Sequence, residues 1–269
     1  MVKSPQLVDT HAHLNLKPLA SNIQEVLERA AGAGVGAVIN IGIDLDSSEA
    51  AARQCRRFGA LSGGPRLYFA AGIHPHDAES FGPDTEPRLT ELLQSDNCVA
   101  LGEIGLDYYR DYSPHDIQKQ AFEAQLAMAS ELGLPVIIHD REAHEDVIEI
   151  LGDFMKRGSL TGVFHCFSGD VDLARRVLDA GFYISFTGVI TFPKAEVLRQ
   201  VARFVPKDRM LIETDCPFLA PVPFRGKTNE PAYVAYVARA LAETKDLSFE
   251  ETAEWTTRNA EELFGIGLR

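Results

Sequence analysis

The chain has few cysteines and none that are paired by spacing. Cys55, Cys98, Cys166 and Cys216 are scattered over 269 residues without a CxxC motif. That argues against a disulfide framework and a cysteine-rich zinc site, and fits a reducing cytoplasm. Long apolar runs are missing as well. No stretch of about 18 apolar residues offers a membrane helix, and the opening Met-Val-Lys-Ser-Pro-Gln lacks the apolar core of a secretion signal. A soluble cytoplasmic protein is the expectation. Positive charge is also scarce, with 26 Lys and Arg against 39 Asp and Glu, a net −13. A protein that covers duplex phosphates should be basic, so passive binding of long DNA is disfavoured. A polyanion held locally by metal ions and a few arginines is not. The acidic stretches 142–153 and 250–254 read as solvated helix faces. No Ser/Gly linker, low-complexity tract or repeat divides the chain, so one domain over 1–269 is expected.

What is present is an ordinary globular balance, 45% hydrophobic and 24% charged. Short apolar runs, expected as strands, fall at 6–10, 36–41, 67–73, 98–102, 135–139, 162–165, 182–186 and 210–213. Amphipathic patterns expected as helices lie between them, at 22–33, 47–58, 87–94, 115–132, 142–157, 171–180 and 194–204. Two more follow at 231–243 and 249–263. Eight near-continuous apolar strands, each followed by a helix, match the arithmetic of an α/β (β/α)8 TIM barrel. A doubly wound open sheet is the rival reading.

The polar residues at the strand ends carry the chemistry. His11 and His13 close the first run two residues apart, so in extended backbone both rings face one side. Glu103 follows the fourth run, His139 ends the fifth, His165 ends the sixth and Asp215 follows the eighth. Each alone could be a satisfied polar group at a strand terminus. Together they would share one barrel face, where burying them without a cation would leave desolvated lone pairs and repelling carboxylates. A metal site follows, and the set suits two divalent ions better than one.

These residues sit in motifs that resemble the TatD family of metal-dependent deoxyribonucleases, within the wider amidohydrolase-like barrel superfamily. The segments are Val8-Asp-Thr-His-Ala-His13, Gly72-Ile-His-Pro-His76, Gly102-Glu-Ile-Gly-Leu-Asp-Tyr108, Ile138-His-Asp-Arg-Glu-Ala143, Phe164-His-Cys-Phe-Ser-Gly169, Glu213-Thr-Asp-Cys-Pro217 and Arg225-Gly-Lys-Thr-Asn-Glu-Pro231, in order along nearly the whole chain. The resemblance implies a (β/α)8 barrel with two divalent ions. By position His11, His13 and Asp215 would hold one and His139 and His165 the other. Glu103 would bridge, where many amidohydrolases use a modified lysine. The activity implied is 3′–5′ exonuclease cleavage of single-stranded DNA or RNA ends, with no membrane and no obligate protein partner involved. Phe224 stands where many relatives carry His, and no chemistry is assigned to it.

Bound divalent ions would activate water and polarise the scissile bond, so no Ser or Cys nucleophile is needed. Asp215 is the expected proton acceptor and donor, with Glu103 as catalytic partner, and Glu213 is either an orienter or a strand-face residue. His74, His76, Arg141 and Arg225 are the expected substrate contacts, Arg141 foremost because its planar fork suits phosphate oxygens. Arg110 and Lys227 are weaker candidates, and His115 and His144 receive no role. Tyr108, Tyr109 and Phe167 are candidates for base stacking or for packing. Two other functions stay open: hydrolysis of a small molecule bearing a C–N, lactone or phosphoester bond, and non-catalytic metal binding. The ion identity is open among Zn²⁺, Mn²⁺, Mg²⁺, Fe²⁺ and Ni²⁺.

Overall fold

Runs of Val, Ile, Leu and Phe form parallel strands because βαβ crossovers cover them with helices on the outside and side chains fill the inside. A computed structural model describes residues 6–59, 61–156 and 160–268. Its strands are β1 (Leu7–Ala12), β2 (Val35–Ile41), β3 (Arg66–Ala71), β4 (Cys98–Asp107), β5 (Val136–Arg141), β6 (Gly162–Phe164), β7 (Tyr183–Phe186) and β8 (Met210–Ile212). The helices are α1 (Ile23–Gly32), α2 (Leu45–Phe58), α3 (Glu86–Leu93), α4 (His115–Leu132), α5 (His144–Met155), α6 (Val171–Asp179), α7 (Glu196–Phe204), α8 (Val234–Lys245) and α9 (Phe249–Phe264). The last residue of the expected helix 142–157, Arg157, lies outside the described residues, as do Met1 to Pro5.

Side-chain capping fixes several helix starts. Asp44 and Ser47 form a reciprocal capping box at α2, and Ser248 and Glu251 form another at α9. Asp170 accepts from two backbone N–H groups at the start of α6.

Each strand pairs in parallel with the next, in the order β1 to β8. The sheet then returns on itself through a parallel bridge between Ala12 and Cys216. There the Asp215 N–H donates to His11 O at 2.9 Å and the His13 N–H donates to Cys216 O at 2.8 Å. The buried Asp9 carboxylate fastens the same seam, accepting from the Thr214 N–H at 2.8 Å and the Thr214 hydroxyl at 2.6 Å. This closure rules out the doubly wound open sheet.

The apolar residues separate into two clusters. One lies between strands and helices, with Leu7, Val38, Phe69, Leu101, Ile138, Phe164 and Ile212 among its members. The other fills the barrel interior with Val8, Ile39, Ala70, Ala100, Ile137, Val163 and Leu211, and includes Leu263 and Phe264 of α9. The period-two alternation of strands then carries positions 139, 165 and 213, two beyond Ile137, Val163 and Leu211, onto the interior side. The apolar plug ends where the polar centre begins.

One element differs materially from its sequence expectation. β4 does not stop at Gly102 but continues to Asp107, paired with β5 through Gly105–His139 and Asp107–Arg141. Gly105 allows the close pass: its φ is +141°, and a Cβ there would sit 2.0 Å from His139 O. Glu103 is therefore inside the strand rather than after it. A register irregularity between Gly102 and Ile104 accompanies this.

Candidate metal centre

Six of the expected residues meet at the carboxyl end of the barrel: His11, His13, Glu103, His139, His165 and Asp215. Getting His11 inside takes an odd step from Val8, absorbed by a register irregularity between Asp9 and Ala12. Asp215 sits at the corner after β8 with φ +54°, in the left-handed region that non-glycine residues seldom occupy. Its amide is tied to His11 O, and the preceding Thr214 is tied to Asp9, so the corner is held from two sides.

The two oxygens of Glu103 face two different sets of donors. Oε2 lies 3.3 Å from His11 Nε2 and 3.9 Å from His13 Nε2. Asp215 Oδ1 completes that set, 3.2 Å from His13 Nε2 and 3.8 Å from His11 Nε2, with the two imidazole nitrogens 3.3 Å apart. Oε1 lies 2.7 Å from His139 Nδ1 and 2.7 Å from His165 Nε2, and those nitrogens are 3.4 Å apart. Ligand atoms about 2.1 Å from one ion in a tetrahedron stand roughly 3.4 Å from each other. The first set matches that spacing, so its residues fit a divalent cation; the second set is drawn tighter about Glu103 Oε1. Three donor groups meet the geometry: His11, Glu103 and His165; His11, His13 and Asp215; and His74, Glu103 and His139.

Both acids of the cluster are held ionised, and neighbouring carboxylates outweigh burial to raise His13, His139 and, most of all, His165. Burial would raise the Glu103 carboxyl, but His165 and His74 and hydrogen bonds from His11 and His139 hold it well below the usual range. Asp215 is likewise lowered, its burial outweighed by His13. Both acids therefore face the histidines as carboxylates. Burial and His165 lower His11. Burial and the neighbouring His139 push His74 down to about 4, which makes it neutral.

Outer partners set how each ring is presented, because a neutral imidazole carries one N–H. His13 Nδ1 meets Ile41 O at 3.2 Å, so its Nε2 faces the centre. His165 Nδ1 faces Glu213 Oε1 at 3.3 Å, and that oxygen also accepts the Cys166 N–H at 2.7 Å. His139 Nε2 meets Asp107 Oδ2 at 3.1 Å, leaving Nδ1 inward. Such carboxylate and carbonyl partners are what metal-binding histidines generally require. Among the described residues His11 Nδ1 and His165 Nδ1 are buried without a hydrogen-bond partner, the latter facing Glu213 at ion-pair distance only, and the two rings stack at 4.0 Å.

Asp107 escaped the sequence reading. It is fully buried at the end of β4, and Oδ2 holds both His139 and, at 2.9 Å, His76 Nε2. Hydrogen bonding to these imidazoles outweighs its burial and keeps it ionised. The signal was its place four residues after Glu103, obscured by ending the strand at Gly102. His74 lies inside the cluster, its Nε2 3.4 Å from Glu103 Oε1.

Arg141 and Arg225 are not part of the cluster. Arg141 lies over the Tyr109 ring at 4.0 Å and Arg225 over Phe192 at 4.1 Å, and neither forms an ion pair among the described residues. Of the stacking candidates, Tyr109 is exposed, but Tyr108 stacks on His115 at 3.7 Å and bonds Asp146, and Phe167 is buried. Both of those serve packing. The exposed aromatics missed from sequence are Tyr112, against His76 at 4.8 Å, and Phe218, 6.2 Å from His13. Phe224 stacks on Tyr233 at 4.1 Å. Among the described residues no helix is long and apolar enough to cross a membrane.

Known proteins match this chain over nearly its full length. Residues 8–265 match the family model described as TatD related DNase. The uncharacterized metal-dependent hydrolase YabD of Bacillus subtilis (strain 168) is 44% identical over 260 residues, covering 97% of this chain and 99% of that protein. The 3′-5′ ssDNA/RNA exonuclease TatD of Citrobacter rodentium (strain ICC168) is 34% identical over 269 residues, covering 98% and 99%. The crystal structure of YJJV, a TatD homolog from Escherichia coli K12, superposes with a TM-score of 0.87 at 31% identity, covering 98% of this chain and 99% of that one. The chain is a metal-dependent hydrolase and belongs to the TatD-related DNase family.

Proposed function

We propose that this protein is a two-ion phosphodiesterase acting as a 3′–5′ exonuclease on single-stranded DNA or RNA ends. The observation that carries the proposal is the Glu103 carboxylate with one oxygen facing His11, His13 and Asp215 and the other facing His139 and His165. Relatives named as single-strand exonucleases support the substrate class. We place the reaction in one hydrolase unit over 1–269 in the cytoplasm, with no obligate protein partner.

Divalent ions held by these two sets would activate water and polarise the phosphodiester, as Zn²⁺, Mn²⁺, Mg²⁺, Fe²⁺ or Ni²⁺ can. The remaining work falls to the chain. Asp215 is ionised, and its side chain is 15% exposed at the mouth of the centre. It accepts the proton of the attacking water and returns it to the leaving sugar oxygen as the P–O bond breaks. Glu103 is fixed between the two sets and keeps their spacing. Arg141, Arg225 and His76 take the phosphate oxygens at the rim. His76 is the more exposed histidine of its pair, with 27% of its side chain open.

The test is direct. Purified protein supplied with Mn²⁺ or Mg²⁺ shortens a 5′-labelled single-stranded oligonucleotide from its 3′ end. EDTA stops it, and Asp215→Asn lowers the rate by about 10²-fold or more. If the oligonucleotide survives while small phosphoesters or amides are consumed, the enzyme acts on small molecules and the nuclease reading fails.

A further inference from the structure

Proximity alone makes His74 a third imidazole for the ion beside His139, since His74, Glu103 and His139 satisfy a metal-binding geometry. The far side of its ring says otherwise. His74 precedes a 3-10 turn at Pro75–Ser80, and its Nδ1 accepts the backbone N–H of His76 at 3.1 Å. A backbone amide can only donate, so Nδ1 must be proton-free. The single N–H of the ring is then on Nε2, the nitrogen aimed at Glu103 Oε1 from 3.4 Å. His13, His139 and His165 differ at the outer nitrogen, which in each faces an oxygen rather than a backbone N–H, so nothing there forces their proton inward.

We infer that His74 is a positioning residue, a tautomer-locked hydrogen-bond donor to Glu103 rather than a metal ligand or a phosphate contact. This rests on the metal-centre reading of the same site. Its consequence is for coordination. With His74 outside the donor set, Glu103, His139 and His165 face the second position alone, and three protein donors are what an open, catalytic ion site keeps. The N–H also holds Oε1 in place without adding a further ligand. His74 is only 6% exposed, which suits support of a carboxylate better than capture of an incoming phosphate.

Two measurements decide it, neither needing the nuclease substrate. In the Zn²⁺-loaded protein, long-range ¹⁵N–¹H correlation should place the His74 proton on Nε2, with the signal assigned by its absence from His74→Gln. A proton on Nδ1 overturns the inference. Chelator competition should then find the zinc affinity of His74→Gln, which keeps an inward N–H, within about threefold of the parent. His74→Leu should fall by about tenfold, the scale seen when a ligand's outer support is removed. A tenfold loss in His74→Gln marks a ligand, and a His74→Leu affinity equal to the parent's leaves the donor without a role. Should His74→Leu fail to fold, the spectrum and the Gln variant still decide. If zinc binds and the tautomer is as stated but no oligonucleotide is cut, the proposed function fails and this inference stands.

Discussion

Glu213 illustrates how much of this centre lies one residue behind the donors. It is 1% exposed, and its Oε1 both receives the Cys166 amide at 2.7 Å and faces His165 Nδ1 at 3.3 Å. Cys166 itself adopts φ +43°, so the turn that sets the direction of His165 depends on a carboxylate from another strand. Glu213→Gln keeps the shape and removes the charge that attracts the outer N–H of His165. Affinity for the second ion should fall about 10- to 100-fold, read by chelator competition, while the fold persists by circular dichroism. An unchanged affinity would mean that His165 orients itself without Glu213. Asp107 stands in the same relation to His139, with His76 as a second dependant.

The loops after β4 and β8 present the aromatic faces of the mouth. Asn229 pins the second loop, donating to Thr214 O at 2.8 Å and Phe218 O at 2.6 Å, and its own N–H meets Pro217 O at 3.1 Å. Phe218 is thus held beside His13 while remaining 52% exposed. Across the centre, Tyr109 carries Arg141 on its ring and Tyr112 leans on His76. If nucleobases stack there, Phe218→Ala should weaken oligonucleotide binding by about 1–3 kcal/mol, seen as a raised KM. Hydrolysis of an alkyl phosphodiester without a base should hardly change. Equal losses on both substrates would assign Phe218 to the shape of the centre instead. Sequence reading named the strands and all six donors, and for two of them the reason is simple, since alternation continues from Ile137 to His139 and from Val163 to His165. It could not see the two irregular steps that bring His11 and Glu103 inward, since these depend on how neighbouring strands register. The expected fourth strand ended at Gly102, whereas Gly105 lets β4 run on to Asp107. Tyr108 and Phe167 looked like Tyr109 in sequence. Only the position of His115 and Asp146 on α4 and α5 shows that Tyr108 is taken up in packing.

On the scale of the whole molecule, a net charge of −13 and a phosphodiester substrate pull in opposite directions. Long-range repulsion is screened within about 8 Å at physiological ionic strength, so the rim contacts decide binding. Of the proposed phosphate contacts two are arginines, Arg141 and Arg225, both parked on aromatic rings without an acidic partner among the described residues. Each phosphate neutralised on a single strand contributes about −0.7 to the slope of log affinity against log salt, giving roughly −1.4 for the pair. Raising monovalent salt fourfold, at fixed divalent ion, should therefore raise KM by about sevenfold. A protein that blankets eight phosphates would change on the order of 10³-fold over the same range. Screening of the overall negative charge acts the other way and can only flatten the dependence. Arg141→Ala should reduce the slope by about 0.7 and raise KM alike for strands of any sequence. A parent slope of −4 or steeper would mean that a long basic track grips the substrate, and would remove the local rim as the explanation for how so acidic a barrel engages a nucleic acid.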